Sequence, residues 1–238
     1  MTYVDGFVIP VPEANKHAYM EMAAKAAPIF IEHGALHVVE NWGDDVAKGE
    51  TTDFYMAVKA EAGETVVFSW ITWPSKEARN AGNDAAMKDA RFAEMMGNNV
   101  FDAKRMIYGG FELMLETGAR SDFGYIEAYL IPVPEAKKAD YHKQAVDSAP
   151  IFLDLGATRI VESWSDDVPH GETTDFYRAV QAREGESIVF SWMEYPSKAA
   201  RDAANAKMMD DPRFEALGEM PFDGKRMMFS GFVPVVQA

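Results

Sequence analysis

The sequence contains no cysteine, which excludes disulfide bonds, thiolate metal ligands and cysteine nucleophiles. It has no apolar run approaching the roughly 18 residues that a membrane-spanning helix requires, so no membrane partner is expected. The first residues also lack a basic stretch followed by an apolar run, which is the pattern of a signal peptide. We therefore expect a cytoplasmic protein.

Basic residues are scarce relative to acidic ones. The chain has 23 Lys and Arg against 38 Asp and Glu, a formal net charge of −15. Such a surface repels phosphate backbones, so nucleic acid is not an expected partner. The sequence has no P-loop, dinucleotide-binding or zinc-binding motif, and we predict no cofactor and no dedicated metal site.

The 238 residues contain two similar halves. The segments Trp42–Val58 and Trp164–Val180 are identical at 13 of 17 positions, at an offset of 122 residues. This period is too long for a solenoid repeat of roughly 20–50 residues, so each unit should be a small domain with its own core. We predict one repeat over 1–116 and a second over 123–238.

The hydrophobic patterns within each half predict the order β-α-β-β-β-α-β, with a short strand over Thr51–Val58 and its copy. Pro28 and Pro150 fall inside the first helix of each half, where a kink or a restart is expected. Gly34 and Gly156 should end these helices. Two helices cover only one face of such a sheet, so the other face needs a partner. The predicted fold class is α+β, with two ferredoxin-like (split βαβ) repeats whose sheets pack face to face as an intramolecular pseudo-dimeric α/β barrel.

Several ordered motifs occur along both halves of the chain. In the first half they are Tyr3–Phe7, Ala26–Phe30, Trp42–Asp45, Val67–Trp70, Trp73–Lys76 and Lys104–Phe111. These motifs resemble the YbaA-like family, DUF1428, of the dimeric α/β-barrel superfamily. The resemblance implies that single-unit relatives pair across a dimer, whereas this chain would be a monomeric pseudo-dimer or a homodimer of it. It implies no activity, although the wider superfamily includes cofactor-free monooxygenases, isomerases and haem-handling proteins.

Aromatic and acidic residues that occur in both halves are the candidate ligand-pocket residues. A cavity between sheet and helices would suit a small apolar ligand, whereas core packing is the alternative role for the aromatic rings. The candidates of the first half are Tyr19, Trp42, Asp53, Tyr55, Phe68 and Trp70, and those of the second are Tyr141, Trp164, Asp175, Tyr177, Phe190 and Trp192.

A group of acidic residues close to the repeated segment could bind a hard cation or hold a proton, and its alternative role is a solvated turn. The spacing matches no calcium-binding loop, so these are weak metal candidates. They are Glu40, Asp44 and Asp45, with Glu162, Asp166 and Asp167 in the second half. No histidine occurs at equivalent positions of both halves, which disfavours a histidine-based site present twice.

Three functions remain open from the sequence. The first is a protein that binds a small molecule. The second is a cofactor-independent enzyme, monooxygenase- or isomerase-like, that uses a carboxylate with Tyr55 or Tyr177 as acid–base groups. The third is a structural or oligomer-forming module without a ligand.

Overall fold

The structure, a computed structural model, describes residues 2–96, 99–120 and 122–238. Each half contributes four long strands and four helices. The first half contains β1 (Tyr3–Pro12), α1 (Lys16–Glu32), β2 (His37–Asp45), α2 (Phe54–Ala57), β3 (Glu64–Trp73), α3 (Lys76–Lys88), α4 (Ala90–Met96) and β4 (Ile107–Gly118). The second contains β5 (Tyr125–Pro134), α5 (Lys138–Leu155), β6 (Arg159–Asp167), α6 (Phe176–Ala179), β7 (Glu186–Tyr195), α7 (Lys198–Met208), α8 (Pro212–Glu215) and β8 (Met228–Gln237). The repeat boundaries at 116 and 123 stay a prediction.

All eight strands form one closed antiparallel barrel in the order β1-β3-β2-β8-β5-β7-β6-β4. Each half supplies a four-stranded sheet, and the two sheets join at both edges through the pairs β2–β8 and β4–β6. The predicted fold class is confirmed. The sheets face each other as expected, and their shared edges close the barrel, so that none of the eight described strands has a free edge.

Strand alternation separates an inner face from an outer face. On β3, Val66, Phe68 and Trp70 belong to the core inside the barrel, whereas Val67 and Trp73 belong to cores on the outer face. Successive strand residues point to opposite faces, so the two sets never mix. The helices α1 and α3 pack on the outer face of the first half, and α5 and α7 on that of the second.

Equivalent aromatic residues of the two halves meet inside the barrel. Phe68 stacks on Phe190 with ring centroids 4.3 Å apart, and Trp70 stacks on Trp192 at 4.1 Å. These rings are at most 2% exposed. Burial of such large apolar surfaces is a main source of stability, so the barrel axis is a packed core.

The predicted strand over Thr51–Val58 is wrong: the segment holds the short helix α2, and α6 replaces the copy. The reason is local, because the Asp53 carboxylate accepts a hydrogen bond from Met56 N at 2.6 Å and caps the helix. Both helices close one end of the barrel, where the Thr174 hydroxyl donates to Ala57 O at 2.7 Å across the halves.

The other helix signals behave more regularly. Ser75 and Ser197 cap α3 and α7, because each side chain accepts a hydrogen bond from a backbone N–H of the first helical turn. Gly34 follows the end of α1 with a φ of +100°, a conformation that glycine adopts at little cost. α1 and α5 continue through Pro28 and Pro150, so no restart occurs there.

Candidate functional site

A buried tyrosine–glutamate pair lies on the outer face of the second half. Tyr141 of α5 donates a hydrogen bond from its hydroxyl to Glu162 Oε2 of β6 at 2.8 Å. Tyr141 is 5% exposed and Glu162 is 7% exposed. The carboxyl belongs to strand β6 and the phenol belongs to helix α5, so a rigid element fixes each group.

Burial raises the pKa of Glu162 from its ordinary value of 4.5 to about 7, and the hydrogen bond from Tyr141 opposes this rise. Ser191 is paired with Glu162 across β6 and β7. The nearby Ser191 hydroxyl also opposes the rise in the pKa of Glu162. Burial also raises the pKa of Tyr141 well above its ordinary value. The pair can therefore hold or release one proton near neutral pH.

The pair borders a cavity of about 400 Å³ between the sheet and the helices of the second half. Most of its wall is apolar. The apolar lining includes Ile131, Phe152, Met193, Met208, Phe214, Leu217, Met220, Phe222, Met227 and Phe229. A cavity of this size with few polar groups matches the usual form of a small-molecule site.

A second carboxylate, Glu127, lies at the same cavity and is fully paired. It accepts hydrogen bonds from Arg201 at 3.1 Å, Asn205 at 3.0 Å and Tyr129 at 2.7 Å. These partners compensate the buried charge, so Glu127 is a fixed part of the wall. No cation pairs with Glu162 among the described residues, so Glu162 is the carboxyl of the cavity that can change its protonation state.

The first half repeats the pair but surrounds it differently. Tyr19 donates to Glu40 Oε2 at 2.7 Å, and burial raises the pKa of Glu40 to about 7. In both halves an equivalent phenylalanine packs against the tyrosine ring, Phe101 against Tyr19 and Phe222 against Tyr141. Three cavity residues of the second half are polar where the first half is apolar: they are Tyr129, Gln144 and Ser148, in place of Phe7, Met22 and Ala26.

The predicted pocket residues do not share one cavity. Tyr19 and Trp42, like Tyr141 and Trp164, lie on the outer face, where only Tyr141 lines the cavity described above. The inward-facing candidates Trp70 and Trp192, with Phe68 and Phe190, fill the barrel core. Tyr55 and Tyr177 are partly buried against that same core. Strand alternation explains the split, because Trp70 and the residues facing the helices lie on opposite faces.

The two aspartates of the candidate set have a structural role. Asp53 caps α2, and Asp175 caps α6 by accepting a hydrogen bond from Arg178 N at 2.8 Å. Each also accepts from the backbone of the preceding loop, at Gly49 N or Gly171 N. Neither contact involves Tyr55 or Tyr177.

The acidic loop residues contact the opposite half instead of gathering around a cation. Asp44 accepts from the Tyr125 hydroxyl at 3.0 Å, and Asp45 accepts from Arg201 at 2.6 Å. In the mirrored contact, Asp166 accepts from Tyr3 at 2.8 Å and Asp167 accepts from Arg79 at 2.7 Å. Within the described part of the chain no group of three or more His, Asp or Glu residues is placed to hold a metal ion.

Three polar residues of the cavity, Glu127, Tyr129 and Asn205, are not among the candidates predicted from the sequence. Arg79 and Arg201 occupy equivalent positions of the two halves, and they pair with the equivalent carboxylates Asp5 and Glu127. Alternation on β5 could have placed Glu127 beside the helices. In the described residues no helix is long and apolar enough to cross a membrane.

Comparison with known proteins places the chain in a family. The model of the family described as "Protein of unknown function (DUF1428)" matches residues 2–103 and again 124–224. The uncharacterized protein YbaA of Escherichia coli K12 is 60% identical over 116 residues, which are 49% of this chain and 99% of YbaA. YbaA of Shigella flexneri matches to the same extent. These relatives thus have the length of one repeat.

Solved structures share the fold over the whole chain at low identity. A protein of Lactobacillus acidophilus, provisionally assigned as a monooxygenase, superimposes with a TM-score of 0.61 at 14% identity, over 100% of this chain and 95% of its own. An anthrone oxidase-like protein gives 0.59 at 14% identity, over 100% and 92%. These similarities support the barrel architecture alone. Because the family model matches both halves, the chain belongs to the DUF1428 family as a tandem duplication of its unit.

Proposed function

We propose that this protein binds a small, largely apolar molecule that carries one polar group, in the cavity of the second half. The supporting observation is the Tyr141–Glu162 pair at the border of an otherwise apolar cavity of about 400 Å³. The apolar walls would favour the body of the ligand by burial, and the carboxyl would fix its polar group.

The polar contact would be made by Glu162. Its Oε2 already accepts from Tyr141, so a ligand would meet Oε1. A carboxyl with a pKa of about 7 can accept a hydrogen bond when ionised and donate one when protonated. This favours ligands such as alcohols, phenols and ketones over ligands of fixed charge.

The test is a thermal-shift screen of aromatic, terpenoid and short acyl compounds with the full chain. A compound that binds the folded state raises the melting temperature by mass action. For each compound that does so, Glu162→Gln and Tyr141→Phe should weaken binding about tenfold, since a hydrogen bond to a charged group is lost or altered.

The duplication supplies matched controls. Glu40→Gln and Tyr19→Phe change the same chemical pair in the first half, and neither residue lines the cavity of the second half. These variants should bind the compound as the unmodified protein does. Equal losses from both pairs, or no compound that shifts the melting temperature, would contradict the proposal.

Proton transfer on the bound molecule is a second candidate function, favoured by the pKa of Glu162. A general base works best when its pKa lies near the working pH. An isomerase-like reaction would need no other reactant, since the carboxyl takes a proton from one carbon and returns it to another. The same compounds can be followed by NMR in D2O, where exchange of a carbon-bound proton that Glu162→Gln abolishes would favour catalysis over binding alone.

A further inference from the structure

The barrel core ends in a polar layer at the mouth opposite α2 and α6. The inward positions of β3 run from Phe68 through Trp70 to Thr72. On β7 the equivalent run ends at Glu194. Thr72 and Glu194 therefore follow the stacked tryptophan pair along the barrel axis.

A cavity of about 370 Å³ lies at this mouth and is built by both halves. The residues that matter for its chemistry are His37, Trp70, Thr72, Phe123, Arg159 and Glu194. The Phe123 ring is nearly parallel to that of Trp70, at 20° and 6.3 Å between centroids. The cavity at the mouth shares no lining residue with the cavity of the proposed function, which lies on the outer face.

The mouth breaks the symmetry of the duplication. At the offset of 122 residues, His37 corresponds to Arg159 and Thr72 corresponds to Glu194. One half supplies a histidine and a threonine where the other supplies an ion pair. The barrel therefore has a single, asymmetric site at this end.

Glu194 is fully buried yet only half satisfied. Its Oε1 accepts hydrogen bonds from Arg159 and from Trp192 Nε1 at 3.1 Å. Its Oε2 has no hydrogen-bond partner among the described residues, and neither has Thr72 Oγ1. A buried polar atom without a partner costs about 1–3 kcal/mol, and such atoms are rare in native proteins unless they serve a purpose.

The groups around Glu194 indicate what kind of ligand could bind to it. A carboxylate oxygen only accepts, so the partner must donate from O–H or N–H. The charged groups that line the cavity are of both signs, Arg120 and Arg159 against Asp122 and Glu194, so a ligand of fixed charge gains little there. Burial and the nearby Arg120 and Arg159 lower the pKa of His37, which favours the neutral form of its imidazole. The rings of Phe123 and Trp70 suit a planar apolar body.

We propose that the barrel mouth is a second binding site, for a small neutral aromatic molecule whose hydroxyl or N–H group donates to Glu194 Oε2. This site goes beyond the proposed function and does not depend on Tyr141 or Glu162. It would place one ligand across both halves of the chain.

The experiment compares two probes by fluorine NMR with the full chain. Para-fluorophenol carries the donor, whereas para-fluoroanisole has nearly the same shape with the donor blocked by a methyl group. Para-fluorophenol should bind about tenfold more tightly, because only it can satisfy the carboxylate oxygen. Equal affinities, or no binding of either probe, would overturn the assignment.

A double variant gives the matched test. Arg159→His with Glu194→Thr places at the mouth the residues that the first half already carries there, so the variant should fold, which circular dichroism checks. It should bind para-fluorophenol no better than para-fluoroanisole, while Glu162→Gln keeps the preference. The opposite result would overturn the proposal. If Glu162→Gln loses the preference and the double variant keeps it, para-fluorophenol binds in the outer cavity.

Discussion

At the residue scale, the side chains with the clearest chemical character are Glu40 and Glu162. Each accepts from a tyrosine hydroxyl, Glu162 being buried and Glu40 partly buried, and no cation lies beside either among the described residues. The buried carboxylate Glu127, by contrast, has Arg201 as a partner. Desolvation without a compensating cation disfavours the charged form, which is why the pKa of each tyrosine-bound carboxyl rises.

This rise predicts how stability depends on pH. The pKa of Glu162 is about 7 in the folded protein and about 4.5 when the chain is unfolded, so the folded state binds more protons between these values. Its contribution to stability is complete below about pH 4.5 and is lost as the pH rises through 7. Glu162→Gln removes this titration. Relative to the unmodified protein, the variant should gain of the order of 1–3 kcal/mol in free energy of unfolding between pH 4.5 and 8.

Urea unfolding at both pH values measures this gain. Glu172→Gln, which replaces an exposed carboxyl by the same amide, is the control variant. Glu40→Gln should behave like Glu162→Gln, because the Glu40 carboxyl accepts from the equivalent tyrosine and its pKa is also raised to about 7. A pH-independent difference for Glu162→Gln would show that the carboxyl titrates normally.

At the element scale, the short helices α2 and α6 matter more than their length suggests. Each inserts a phenylalanine, Phe54 or Phe176, into the barrel core, and both are fully buried. Phe54 contacts Phe68 edge to face at 6.0 Å between centroids. A four-residue helix has little intrinsic stability, so tertiary packing and the aspartate caps maintain it.

Removal of one cap should therefore be measurable. Asp53→Ala leaves Met56 N and Gly49 N without their acceptor and should lower the free energy of unfolding by about 1–2 kcal/mol. Asp53→Asn, which keeps a capping oxygen, should recover most of the loss. Chemical denaturation of the three proteins checks this order, and an Asp53→Ala protein as stable as the original would rule out the capping role.

At the scale of the whole molecule, two kinds of contact hold the halves together. They are the paired strand edges and the ion pairs between a residue of one half and a residue of the other. β2 pairs with β8 and β4 with β6, while Arg79 and Arg201 each reach an aspartate of the opposite half. One half alone would expose two sheet edges and the apolar inner face. Such surfaces drive association.

Each half, produced separately, should therefore form a dimer, and a mixture of the two should form a one-to-one complex. Contacts such as Asp45 with Arg201 have an equivalent in Asp167 with Arg79, so a dimer of the first half can pair Asp45 with Arg79 of its copy. Light scattering after size exclusion gives the masses. A compact monomer of either half would contradict the pairing of sheets described above.

The sequence by itself determined the duplication, the family, the fold class and most strand positions, because periodicity and repeated motifs are properties of the chain. It also singled out Glu162 and Tyr141, though as members of larger sets. Only the tertiary structure separated the inward Trp70 and Trp192 from the outward Tyr141, turned Thr51–Val58 into a helix, and assigned Asp44 and Asp45 to the opposite half. The helix depends on a local cap by Asp53, whereas burial and contacts between residues more than 80 positions apart decide the other features, which no local pattern encodes.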